Sequence, residues 1–105
     1  MPVIDDQKQE QKQESKQSLV EPKKYHVMIL NDDFSTFELV TELCVKFFSQ
    51  TQEQADGTAW DVHTKGRGLA GIYTKDVAET KSVIANEFSQ SNDQPLATVV
   101  VGDSD

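Results

Sequence analysis

The sequence predicts a small α+β domain in which a three-stranded antiparallel sheet carries three helices packed on one face. Three observations support this fold class. Three short runs are rich in strand-favouring residues, and the segments between them repeat apolar residues at helical spacing. A chain of 105 residues has room for one modest core. Taken along the chain, the predicted elements follow the order β-α-α-β-α-β.

The first 24 residues, MPVIDDQKQEQKQESKQSLVEPKK, are expected to form a disordered N-terminal extension. Gln, Lys, Glu and Ser dominate this stretch, which has no aromatic residue and too little apolar surface to hold a helix against a core. We therefore expect the folded core to occupy residues 25–101 and residues 102–105 to fray.

Charge and cysteine content limit the partners and the compartment. The extension holds five acidic residues and five lysines, so the whole net charge of −8 falls on residues 25–105. This charge argues against nucleic acid and for a basic or cationic partner. The single cysteine allows no intrachain disulfide, and no apolar run approaches the length of a membrane span or a signal peptide. We expect a protein of the bacterial cytoplasm.

The first predicted strand is YHVMIL, Tyr25–Leu30. Val27 and Ile29 lie on one of its faces, and Met28 and Leu30 lie on the other. Because both faces are apolar near its end, the pattern predicts a strand that is covered on each side.

The first helix is predicted to begin at Ser35. Ser35 and Glu38 have the spacing of a capping box, and Phe34 and Leu39 occupy the positions of a hydrophobic staple. Beyond the cap, apolar residues recur at helical spacing at Phe37, Val40, Leu43, Cys44 and Phe47.

Local signals of the same kind place the remaining elements. Thr51 and Gln54 repeat the capping pattern and begin a second helix. The turn TKGRG leads to a second strand, LAGIYT, in which Gly71 indicates a close backbone approach or a bulge. Thr74 can cap a third helix, with Asp76 in its first turn. The predicted apolar stripe of this helix consists of Val77, Ile84 and Phe88, and the last strand is LATVVV, residues 96–101.

The triplet Asn31-Asp32-Asp33, between the first strand and the first helix, is the first candidate site. Such residues often satisfy turn amides and favour the positive end of a helix dipole. If His63 faces this loop, Asn31, Asp33 and His63 could accept hydrogen bonds from an ammonium group. The loop and His63 could instead bind a metal ion, although one histidine and two aspartates match no recognised ligand spacing.

An apolar set forms a second candidate: Phe37, Val40, Trp60 and Leu96. Val40 and Trp60 are best explained as core residues, whereas Phe37 directly follows the cap and could rim a pocket. The segment DVAETK, residues 76–81, is by default a solvated helix face with weak ion pairs. The sequence contains no recognised catalytic motif, and Cys44 lies on the predicted buried stripe of its helix. These residues offer no catalytic set.

Three segments together, in this order and spacing, resemble the ClpS family of adaptors for the ClpAP protease. They are YHVMILNDDFSTFELV, VHTKGRGLAGIYTKDVAETK and PLATVV. The resemblance implies a monomeric, non-enzymatic adaptor without metal or cofactor. Such an adaptor binds N-degron proteins whose first residue is Leu, Phe, Tyr or Trp and delivers them to the N-terminal domain of a ClpA-type or ClpC-type AAA+ ATPase.

The same resemblance assigns roles to residues. It implies that Asn31, Asp33 and His63 contact the free α-amino group and that Asp32 shapes the loop. It also implies a hydrophobic pocket for the first side chain, formed by Ser35, Phe37, Val40, Ala59, Val62 and Leu96. The face that docks on the ATPase would contain Asp76, Glu79, Thr80 and Lys81.

Two departures from the family pattern affect the expected pocket. Thr36-Phe37 replaces the usual Pro-Met, and Ala59 stands where a larger apolar residue is common. We expect these changes to alter the ranking of first residues. Two other hypotheses stay open: an ATPase-docking modulator with altered or absent degron binding, and a metal-dependent enzyme that uses Asp32, Asp33 and His63.

Overall fold

The computed structural model describes residues 23–102 and contains six elements. In chain order these are β1 (Tyr25–Leu30), α1 (Phe37–Phe47), α2 (Gln52–Lys65), β2 (Arg67–Tyr73), α3 (Lys75–Ser91) and β3 (Ala97–Gly102). The α+β fold class and the element order predicted from the sequence are confirmed. Most of the predicted N-terminal extension, residues 1–22, and residues 103–105 lie outside the described part. Within residues 23–102, no helix is long and apolar enough to cross a membrane.

The sheet has the order β2-β1-β3, and β1 is antiparallel to both neighbours. Val27 and Ile29 are fully buried under the helices. The other face of the sheet is open, so the prediction that β1 is covered on each side is wrong. Its outward residues include the exposed Leu69, Ile72, Val99 and Val101. Met28 and Leu30 lie on the open face among other apolar residues of the sheet, so the strand has the continuous apolar run that is typical of a strand buried on both faces, which explains the error.

A bulge in β2 confirms the prediction made from Gly71. Val27 pairs with Gly71, whereas the next residue, Met28, pairs with Leu69. Ala70 is therefore the extra residue between them. The bulge keeps Ala70 buried against the helices.

The helix starts were predicted with mixed success. At α2 the predicted capping box forms, because Thr51 Oγ1 accepts from the Gln54 N–H and Gln54 Oε1 accepts from the Thr51 N–H. At α1 the prediction of Ser35 as the cap is wrong by one residue. Thr36 is the N-cap, and its Oγ1 accepts from the Leu39 N–H at 3.1 Å. Ser35 is engaged elsewhere, since its hydroxyl donates to Asp32 Oδ2 at 2.6 Å.

The face that α3 presents to the core differs from the predicted stripe. Val77 and Ile84 are exposed, and only Phe88 of the predicted stripe is partly buried, against Phe47. The residues of α3 that are buried are small: Ala78, Ser82, Ala85 and Ser89. Small side chains let the helix lie close to the sheet, and the Ser82 and Thr98 hydroxyls satisfy each other at 2.5 Å. Thr74 is the N-cap of α3 as predicted, but its side chain makes no capping hydrogen bond.

Candidate functional site

An open cavity lies where the start of α1, the second half of α2 and the segment before β3 meet, and its empty space is about 270 Å³ when the open solvent at its mouth is included. Its lining consists of Asn31, Ser35, Thr36, Phe37, Val40, Ala59, Val62, His63 and Leu96. All six residues expected to form an apolar pocket are in this set, together with two of the expected amine-binding residues. Thr36 was not expected to line the cavity, although it lies between Ser35 and Phe37, which were both expected there.

The interior of the cavity is apolar and its mouth is polar. Val40, Ala59, Val62 and Leu96 are each at most 4% exposed, whereas Asn31 and His63 are exposed. An apolar interior with a polar mouth has the chemistry for a ligand that combines an apolar side chain with a polar head group.

Asp32 holds the loop that leads into the cavity. Its Oδ1 accepts from the backbone N–H groups of Phe34 and Ser35 at 2.8 and 2.9 Å, and its Oδ2 accepts from the Ser35 hydroxyl. A carboxylate that accepts three bonds from its own loop fixes the backbone there. Asp32 therefore stabilises the conformation of the loop, and it does not line the cavity itself.

A backbone hydrogen bond brings Asn31 beside His63. The Asn31 N–H donates to the Gly66 carbonyl at 3.0 Å. Gly66 ends α2 in the left-handed conformation, with φ of 89°, three residues after His63. The end of β1 is thus tied to the end of α2, and the Asn31 and His63 side chains share one mouth. Asp33 is exposed in the adjoining loop and does not line the cavity itself.

The far wall of the cavity is fixed through Gln94. Its Oε1 accepts from the Thr36 N–H at 2.7 Å, so the start of α1 is attached to the segment that carries Leu96. Phe37 follows Thr36 and is 43% exposed. As expected from the sequence, this aromatic ring lies at the rim of a pocket.

Trp60 is not a core residue, so that interpretation of the sequence is wrong. Its side chain is 60% exposed, and its ring lies beside the imidazole of His63 with the centroids 6.4 Å apart. On α2 it follows Ala59 of the cavity wall and precedes His63 of the mouth by one turn. The helical spacing alone could not show whether this position faces the core or the solvent.

The residues considered for a metal centre do not assemble into one. Across residues 23–102, no group of three His, Cys, Asp or Glu side chains is placed to hold a metal ion. Asp32 is committed to its loop. The hypothesis of a metal-dependent enzyme at Asp32, Asp33 and His63 therefore lacks its ligand geometry.

Cys44 is a core residue, as predicted. It is fully buried, and this burial raises the pKa of its thiol from 9.0 to about 12, although a hydrogen bond with Thr58 acts in the opposite direction. A thiol with such a pKa forms almost no thiolate at neutral pH and is a poor nucleophile.

The second expected surface, on α3, is more apolar than the sequence indicated. Asp76, Glu79 and Thr80 are exposed. Shallow depressions between them are lined by the exposed side chains of Val77, Val83 and Ile84. Exposed apolar side chains among charged ones are typical of a protein-binding surface.

Lys81, the fourth residue expected on this surface, has internal partners. Its Nζ donates to the Phe47 carbonyl at 2.7 Å and lies 5.2 Å from the centroid of the Tyr73 ring. The Lys81 side chain therefore connects α3 to the end of α1.

Comparisons with known proteins agree with these features. A family model described as "ATP-dependent Clp protease adaptor protein ClpS" matches residues 20–99. The ClpS adapter protein of Xanthomonas oryzae pv. oryzae is 42% identical over 82 residues, which cover 78% of this chain and 77% of the relative. The ClpS adapter protein of Bdellovibrio bacteriovorus is 40% identical over 79 residues, or 75% of this chain and 69% of the relative.

A solved structure shares the fold. Agrobacterium tumefaciens ClpS2, determined bound to L-phenylalaninamide, superposes with a TM-score of 0.76 at 28% sequence identity. The match covers 79% of this chain and all of that one.

Proposed function

This chain belongs to the ClpS family of adaptor proteins of the ATP-dependent Clp protease, and we propose that it recognises N-degrons. In this proposal it binds the free N-terminal amine and the bulky hydrophobic first residue of a substrate, then delivers the substrate to a ClpA-type ATPase. The apolar cavity with its polar mouth is the observation that carries the proposal.

The cavity has the chemistry that a first residue requires. An α-ammonium that leaves water needs acceptors in its place, because an unpaired buried charge is costly. We assign this role to the Asn31 side-chain oxygen, the Asp33 carboxylate and an imidazole nitrogen of His63. The first side chain would enter between Val40 and Ala59. Asp32 would act indirectly, by holding the loop.

The Agrobacterium structure supports this assignment by analogy. L-Phenylalaninamide, the compound bound to that relative, combines an α-amino group with an apolar side chain. At 28% identity and a TM-score of 0.76, the two chains share the fold that would place such a compound. We infer that the cavity of this chain accepts ligands of the same class.

Delivery would use the exposed surface of α3. We propose that Asp76, Glu79 and Thr80, with the neighbouring Val77 and Ile84, dock on the N-terminal domain of a ClpA-type or ClpC-type ATPase. The adaptor itself would catalyse no reaction and would act in the cytoplasm. The inert, buried Cys44 is consistent with a binding role.

Peptide binding tests the proposal. A labelled peptide that begins with Leu or Phe and has a free amine should bind, and its acetylated form should lose most of its affinity because acetylation removes the charge and two donors. The Asp33→Asn variant should bind about tenfold or more weakly. Asp61→Asn, which removes an exposed acid elsewhere on α2, is the matched control and should bind normally.

Equal binding of the free and acetylated peptides would overturn amine recognition. A second outcome supports the narrower alternative. If neither peptide binds while the chain still docks on the ATPase domain, it is a docking modulator without degron binding, and the separate α3 surface is what keeps that alternative open.

A further inference from the structure

We propose that Trp60 selects the second residue of the bound peptide, an inference that rests on the proposed function. Trp60 is the only tryptophan of the chain, its side chain is 60% exposed, and its ring lies beside His63, which lines the cavity. A large aromatic surface left in water at the mouth of an apolar site is available to a ligand.

The ring lies next to the proposed amine site. The proposed amine site is at Asn31 and His63, and the Trp60 ring lies 6.4 Å from the His63 ring, centroid to centroid. An extended chain advances about 3.3 Å per residue, and its side chains extend a further few ångströms. With the first side chain inside the cavity and the amine at His63, the second side chain would come within reach of Trp60.

Ring stacking sets the expected preference. Trp60 presents a π face, and an aromatic second side chain packed on it gains contact beyond simple burial. Glycine gains nothing there. Peptides with Phe at the second position should therefore bind about two- to tenfold more tightly than peptides with Gly at that position.

Six titrations test this inference. Fluorescence anisotropy would compare Leu-Phe and Leu-Gly peptides, otherwise identical, on the native chain, on Trp60→Ala and on Trp60→Phe. The native chain should prefer Leu-Phe. Trp60→Ala should remove that preference while its affinity for Leu-Gly stays within about twofold of native, and Trp60→Phe should retain most of the preference because it keeps a ring.

The outcomes separate this inference from the proposed function. Equal affinity of the native chain for the two peptides, or a preference that survives in Trp60→Ala, would overturn the role of Trp60 while leaving degron binding intact. Absence of binding by either peptide to the native chain would contradict the proposed function itself. In the native chain the emission of the sole tryptophan offers a direct readout, and it should change more with Leu-Phe than with Leu-Gly.

Discussion

Gln94 accepts a hydrogen bond from the backbone N–H of Thr36 at 2.7 Å, across 58 residues of sequence. The bond satisfies an amide at the N-cap of α1 and attaches that helix to the segment before β3. Phe37 follows the donor, and Leu96 lies two residues after the acceptor. One side chain thus links two walls of the cavity.

Replacing Gln94 should loosen both the helix start and the cavity. Gln94→Ala is expected to lower the free energy of unfolding by about 1 kcal/mol, as for loss of a hydrogen bond at a helix N-terminus. Affinity for a Leu-initiated peptide should fall severalfold. Urea denaturation and peptide titration would measure the two effects. Gln90→Ala, at an exposed position of α3, is the control, and an equal loss there would contradict the prediction.

Two aspartates that look alike in the sequence should differ in their contributions to stability. Asp32→Ala removes the acceptor of three loop hydrogen bonds and should cost about 1–3 kcal/mol. Asp61→Ala removes an exposed ion pair with Lys65 and should change stability by at most about 0.5 kcal/mol. Thermal or urea unfolding of both variants checks this. Similar values for the two would show that the loop does not depend on Asp32.

Lys81 should contribute to stability through its internal contacts. Lys81→Met keeps most of the apolar stem but loses the ammonium that donates to the Phe47 carbonyl and lies over the Tyr73 ring. We expect a loss of about 1–2 kcal/mol in urea unfolding. The exposed Lys75 on the same helix gives the control variant Lys75→Met, for which a change within about 0.5 kcal/mol is expected. Equal stability of the two variants would refute a structural role for Lys81.

Burial of Cys44 should make stability depend on alkaline pH. Its folded pKa of about 12 exceeds the ordinary value of 9.0, so its contribution is complete below pH 9 and is lost progressively as the pH rises toward 12. The stability of the native chain relative to Cys44→Ala should therefore fall by about 1–2 kcal/mol between pH 7 and pH 10.5. The comparison cancels the alkaline titrations that are independent of Cys44; Tyr73 is not one of them, because burial and then the charge of Cys44 raise the pKa of its hydroxyl. A constant difference between the two chains would contradict the prediction.

Local signals in the sequence predicted most of the fold, and the errors have physical causes. The capping box at Thr51 was correct because all its partners lie within one turn. At α1 two adjacent hydroxyl residues could both serve as the cap, and Asp32 binds the first of them. The hydrogen bond between Thr36 and Gln94 joins segments 58 residues apart, so no local sequence pattern predicts it.

Apolar periodicity was misleading where apolar residues face outward. Val77 and Ile84 have the spacing of a core stripe, yet they are exposed on the proposed docking surface, while alanine and serine fill the buried face of α3. Trp60 was likewise interpreted as a core residue, although its side chain is 60% exposed. Spacing identifies a helix and its apolar face, but it does not distinguish a core from a surface that binds a partner.

Phe37 and Ala59 should together determine which first residue binds best. The Phe37 ring rims the cavity and Ala59 contributes only a methyl group to its wall, so the aromatic ring is the largest apolar group in the lining. Aromatic first side chains can pack against that ring. Phe37→Met should therefore weaken peptides that begin with Phe, Tyr or Trp by about two- to tenfold more than a peptide that begins with Leu. Titration with four peptides that differ only at the first residue measures the ranking.

A control variant makes the same exchange outside the cavity. Phe34→Met changes a side chain that is 79% exposed and does not line the cavity, and it should leave the ranking unchanged. The same ranking in the native chain and in Phe37→Met would show that the ring does not set the preference.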